Sequence, residues 1–138
     1  MKPMNQQGGV TLIEILVSIV IVCFGLLGVA GLITTGLKST QSSQFRTQAS
    51  FLAYDIAEKM RINRDEALAG QYKTAVTATN AIALADKAAW QASVGALPSG
   101  VGTVTMPSVN TYEITIQWDD SKIAGGGATQ QFKFRGEL

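Results

Sequence analysis

The segment from Ile15 to Leu37 carries no charged residue, and it constrains the fold more than any other feature of the chain. As a helix its 23 residues reach roughly 35 Å at about 1.5 Å per residue, enough to cross the hydrocarbon core of a bilayer. A removable secretory signal has a shorter apolar region, a stronger basic start and a small-residue cleavage site behind it. Here Lys2 is the sole cation before the run, and no such site occurs before Lys38. A chain of 138 residues is enough for one small domain, too little to surround so long a segment, which argues against a buried helix. Hydropathy alone supports a single-pass membrane anchor.

Composition removes most catalytic classes. There is no histidine, so Ser-His-Asp and Cys-His chemistry and most zinc sites are absent. The single Cys23 lies inside the apolar run, so the chain has neither a disulfide framework nor a paired-cysteine site. A net charge of +1 gives no general attraction to nucleic acid, and direct nucleic-acid binding is not expected. No catalytic residue, metal or cofactor is assigned.

A plain anchor leaves the junction before the run unexplained. The residues Gly8-Gly9-Val10-Thr11-Leu12-Ile13-Glu14 lead straight into uninterrupted apolar sequence. An acid costs up to about 2.5–3.5 kcal/mol at mid-bilayer and less near the interface. Thr11-x-x-Glu14 matches a helix capping box, and a negative charge in the first turn suits the helix dipole. Capping accounts for Thr11 and Glu14 but not for the paired glycines ahead of them.

Gly9 to Glu14 followed by the long apolar helix resembles the processing site of type IV prepilins and pseudopilins. The resemblance implies cleavage between Gly9 and Val10 by a prepilin peptidase, release of a leader over residues 1–9, and methylation of the new amino terminus. Val10 stands where the family usually has Phe. The resemblance gives Thr11, Leu12, Ile13 and Glu14 a role in assembly. The Val10 amine and the Glu14 carboxylate of another subunit are each costly in an apolar medium, and pairing lowers that cost. Gly25, Gly28 and Gly31 fall at every third position of the span, which suits either close helix packing or local helix weakness.

Beyond Lys38, Phe45, Ala49, Leu52, Ile56 and Met60 form one apolar helical stripe, and Asp55 precedes Lys59 by one turn. The pattern predicts one helix from about Thr11 to Asn63, its first half apolar and its second amphipathic. A short helix follows from Asp86 through Trp90 to Val94. Three strands are expected at Val101–Met106, Thr111–Trp118 and Gln130–Arg135. Tyr112, Ile114, Ile116 and Trp118 share one face of the second, and Phe132 and Phe134 oppose Lys133 and Arg135 in the third. Gly125-Gly126-Gly127 reads as a flexible connector. Asp119-Asp120 lacks the spacing of a calcium loop and reads as a solvated turn. Lys59, Arg61 and Arg64 read as a solvated helix face, and both tryptophans as core.

The expected class is therefore α+β: a long hydrophobic-then-amphipathic helix packed on a small antiparallel sheet. The resemblance implies that residues 10–37 are the membrane and assembly half and 38–138 a periplasmic globular domain. The motifs around Phe51, Ala57–Arg61, Trp90, Leu97-Pro98 and Tyr112–Asp119 resemble the pilus-modification group of minor pilins. The resemblance implies a subunit that primes pilus assembly with other minor pilins, the major pilin and the inner-membrane assembly platform, and it allows contact with a tip adhesin. The rival readings are a minor pseudopilin of a type II secretion system and a membrane-anchored ligand-binding domain.

Overall fold

The computed structural model describes residues 9–121 and 129–138. Their elements, in chain order, are α1 (Leu12–Ile62), α2 (Arg64–Leu68), α3 (Ala81–Val94), β1 (Val101–Thr105), β2 (Thr111–Trp118) and β3 (Gln130–Glu137). The α+β class is the one expected, and α1 differs from the expected helix by one residue at each end. The chain divides between Leu37 and Lys38 into two compact units.

In the first unit every described residue is exposed. The segment has no core of its own, and α1 is long and apolar enough to cross a membrane. Its few hydroxyls are satisfied within the helix: Ser18 donates to the Glu14 carbonyl (2.7 Å), Thr34 to Ala30 (2.9 Å) and Thr35 to Gly31 (3.0 Å). That internal pairing is what hydrocarbon demands of polar groups.

The second unit has a single core. The amphipathic part of α1 contributes Ala49, Ala53, Ile56, Ala57 and Met60, all fully buried, with Phe45 and Leu52 at its margin. The stripe is thus richer in alanine than the sequence reading held, because Ala53 and Ala57 complete it. The expected Asp55–Lys59 pair forms at 3.1 Å. The sheet is antiparallel in the order β1-β2-β3, with Val104 opposite Ile114 and Ile114 opposite Phe134. Tyr112, Ile114, Ile116 and Trp118 are buried, as the alternation requires.

Two glycines make slots for aromatic rings. A Cβ on Gly102 would lie 2.5 Å from the Trp90 ring, and one on Gly136 would strike the Tyr112 side chain from the neighbouring strand. Trp90 is held in place by donating from Nε1 to the Leu52 carbonyl at 2.8 Å, which ties α3 to α1.

Four expectations change. Helix α3 begins at Ala81, not Asp86, because the Asn80 side chain caps it by accepting from Ile82 and Ala83 N–H. The one-turn α2 was not foreseen. Strand β3 continues two residues past Arg135, and Leu138 extends the pairing by donating to the Asn110 carbonyl at 2.9 Å. Asp120 is not a solvated turn residue. It is 2% exposed, its Oδ2 accepts from Ser42 Oγ at 2.7 Å, and its Oδ1 has no hydrogen-bond partner among the described residues. The connector Gly125-Gly126-Gly127 and residues 1–8 of the expected leader lie outside the described residues.

Candidate processing and assembly segment

The start of α1 brings the predicted processing and assembly residues together. Its first turn closes when Glu14 and Ile15 N–H both donate to the Thr11 carbonyl, at 3.0 and 3.3 Å. Gly9 and Val10 precede the helix, exposed and outside regular structure. A protease needs accessible backbone outside a helix, and the Gly9–Val10 bond has both properties.

The capping box does not close. Among the described residues no side-chain hydrogen bond satisfies Thr11 or Glu14, so the Glu14 carboxylate is not engaged in holding the helix end. Leu12 and Ile13 beside it are 85% and 71% exposed. Among the described residues Glu14 is thus an unpaired acid beside bare apolar side chains, four positions from Val10, the expected first residue after cleavage.

Helix α1 runs unbroken through Gly25, Gly28 and Gly31, and a Cβ at any of them would meet nothing within 4 Å. Close packing inside this chain therefore does not explain these glycines. Cys23 is a free, exposed thiol. Among the described residues no cluster of three or more His, Cys, Asp or Glu is placed to hold a metal ion.

In the globular unit the buried polar groups fasten the loop between α2 and α3. Tyr72 is fully buried, donates to Asp86 Oδ2 at 2.6 Å and accepts from Asn63 Nδ2 at 3.2 Å. Burial, followed by the bond to Asp86, raises its phenol to about 12. The Lys87 ammonium donates to the carbonyls of Gln71, Lys73 and Val76, at 3.2, 2.7 and 2.5 Å, while burial lowers its pKa. These are clamps, and none of them lines a reactive cleft.

Sequence reasoning missed the apolar residues that α1 leaves exposed in the globular unit. Phe51, Tyr54 and Ile62 are 69%, 50% and 85% exposed. The stripe analysis followed only the face that turns inward.

Two family models match the chain. One, described as the prokaryotic N-terminal methylation motif, covers residues 4–30. The other, described as type IV pilin Tt1218, covers residues 31–96. No curated protein and no solved structure matches.

Proposed function

We propose that this chain, a type IV prepilin by its methylation motif and its pilin-like domain, is a minor pilin that primes pilus assembly. Membership implies anchoring in a membrane before assembly, processing by a peptidase and assembly with other pilins. The finer reading is this. The peptidase cuts between Gly9 and Val10, and the methylated Val10 amine becomes the head of the mature chain. Residues 10–37 hold the subunit in the inner membrane, with residues 38–138 in the periplasm, until it joins other minor pilins on the assembly platform and the major pilin follows. The pilus tip is its final place, and its work is association, not catalysis.

The observation that carries this reading is Glu14 at the exposed head of α1, its carboxylate without a partner among the described residues. In an apolar medium a carboxylate seeks a cation, and a neighbouring subunit's Val10 amine supplies one at a defined register. Leu12 and Ile13 frame the pair, and Gly25, Gly28 and Gly31 lower the cost of locally unwinding the helix as it packs, by about 1 kcal/mol each relative to alanine. The resemblance of the later motifs to the pilus-modification group favours a minor over a major role.

The test is a count of sheared surface pili from a strain lacking this gene and from its complemented counterpart. Pili are lost in the first and restored in the second. Unchanged pili with impaired protein export would instead assign the chain to type II secretion. Mass spectrometry of the membrane-extracted protein adds the processing test: N-methylated Val10 as first residue is expected, and an intact residue 1–9 segment would favour the anchored ligand-binding domain.

A further inference from the structure

The two edges of the sheet are finished differently. On β1, Val104 N–H donates to Thr74 Oγ1 at 2.7 Å and its carbonyl accepts from Thr74 N–H at 3.0 Å, while the Gly102 carbonyl accepts from Gln91 Nε2 at 3.2 Å. That edge is closed by the chain itself. The same bonds set the direction of every backbone group in the ladder. Val104 points away from β2, so its partner Ile114 points towards β3, and Phe134 opposite Ile114 points back. By alternation the N–H and C=O groups of Gln131, Lys133, Arg135 and Glu137 face away from the sheet. Among the described residues nothing is hydrogen-bonded to them.

An open eight-residue edge is unusual, because exposed strand edges template pairing with other chains. The side chains around this one are specific. Gln131, Lys133, Arg135 and Glu137 are exposed on the outer face. Lys133 has no ion-pair partner among the described residues, and Arg135 reaches Glu113 at 2.6 Å. On the inner face Phe132 and Phe134 are partly buried, and the half-exposed Tyr54 ring packs against Phe134 at a tilt of 56° with centroids 4.7 Å apart. A strand added here would meet Lys133 and Arg135 at the middle of one face, with Gln131 and Glu137 at its ends, and an aromatic shelf on the other.

We propose that the free edge of β3 takes an extended strand from a partner protein, one that alternates acidic with apolar side chains. The acids lie opposite Lys133 and Arg135, and the apolar residues lie against Phe132, Phe134 and Tyr54. A second copy of this chain is disfavoured over the full strand, because antiparallel pairing about Phe134 sets Lys133 against Arg135 twice. The surface belongs to the globular unit, whichever filament or membrane assembly the chain joins. Backbone pairing gives such an edge its affinity and alternate side chains its specificity.

The test uses the full-length protein in detergent micelles and two synthetic peptides of the strand's length, one alternating valine with glutamate and one alternating valine with lysine. Residue-resolved hydrogen exchange is the readout. The glutamate peptide is expected to slow exchange at the Lys133 and Arg135 amides by about tenfold, with the lysine peptide inactive. Lys133→Pro removes one outward N–H without disturbing the ladder to β2 and abolishes the effect, whereas Lys133→Ala keeps it in weakened form. If the proline variant loses its near-ultraviolet circular dichroism, the doubly reversed K133E/R135E chain decides instead, by transferring preference to the lysine peptide. Absent protection, equal protection by both peptides, or unchanged preference in the reversed chain overturns the proposal; the charges would then only guard the edge.

Discussion

The two units of this chain solve the same hydrophobic problem in opposite ways. The second buries a core of apolar side chains under its own sheet and helices, down to the 1% exposure of Trp90 and the full burial of Ile114 and Ile116, and leaves others such as Phe51 and Ile62 exposed. The first covers none, and Phe24 and Leu27 remain 72% and 69% exposed. The difference teaches where each unit's stability resides. The core of residues 38–138 is a property of the folded chain, whereas the apolar side chains of residues 10–37 find no cover within their own unit and the helix is long and apolar enough to cross a membrane. Polar groups show the same contrast in two places: Tyr72, Asp86 and Asn63 satisfy one another inside the second unit, while Glu14 at the head of the first has no partner among the described residues.

The largest effect that would break this comparison is at Glu14. Glu14→Ala is expected to leave membrane insertion intact and to abolish incorporation into filaments, read by immunoblot of sheared and membrane fractions. Wild-type levels of the variant in sheared filaments would remove Glu14 from assembly.

Matched glycine substitutions sharpen the contrast. Gly102→Ala drives a methyl group into the Trp90 ring, and overpacking of this kind costs about 2–3 kcal/mol in urea unfolding followed by tryptophan fluorescence. Gly28→Ala meets no neighbour, so within the single chain it stabilises helix by about 1 kcal/mol. Any penalty it brings is confined to filament yield.

Alkaline pH probes the polar clamp. Tyr72 has its folded pKa raised to about 12, so its contribution is complete below the ordinary tyrosine value and is lost as pH rises from about 10 towards about 12. The loss amounts to about 2 kcal/mol across that window. Comparing urea unfolding of the wild type with that of Tyr72→Phe isolates it, because the variant lacks the titrating group. Equal alkaline slopes in the two proteins would contradict the assignment.

The smallest effect is at the surface pair. Lys59 and Asp55 are 28% and 49% exposed at the side chain, and exposed helix pairs of this spacing contribute about 0.3–0.5 kcal/mol. Lys59→Ala is expected to fall at or below that value and to shrink further in high salt. A loss above about 1 kcal/mol would show that the lysine stem packs against the core.

Local patterns carry information when a single element's periodicity meets a single environment. The uncharged run from Ile15 to Leu37 defines a membrane-length helix because hydrocarbon acts on every side of it equally. Alternation in Thr111–Trp118 assigns the faces of β2 because a strand has only two. The processing junction is legible for the same reason: Gly9 to Glu14 is contiguous, and its proposed chemistry depends on spacing along one chain.

What sequence could not supply involves residues distant in the chain that meet in space. Asp120 looks like a solvated turn until Ser42, 78 positions away, is placed beside it. Asn80 becomes a cap only where the chain enters α3. Which backbone groups of β3 face outward follows from the bonds of Thr74 and Gln91 at the opposite edge, made by side chains with no sequence signal for that task. The apolar run and the contiguous Gly9–Glu14 motif were thus determined by the sequence itself. The closed core, the buried acid and the free strand edge were decided by tertiary structure, because burial and hydrogen-bond satisfaction depend on which neighbours the fold brings together.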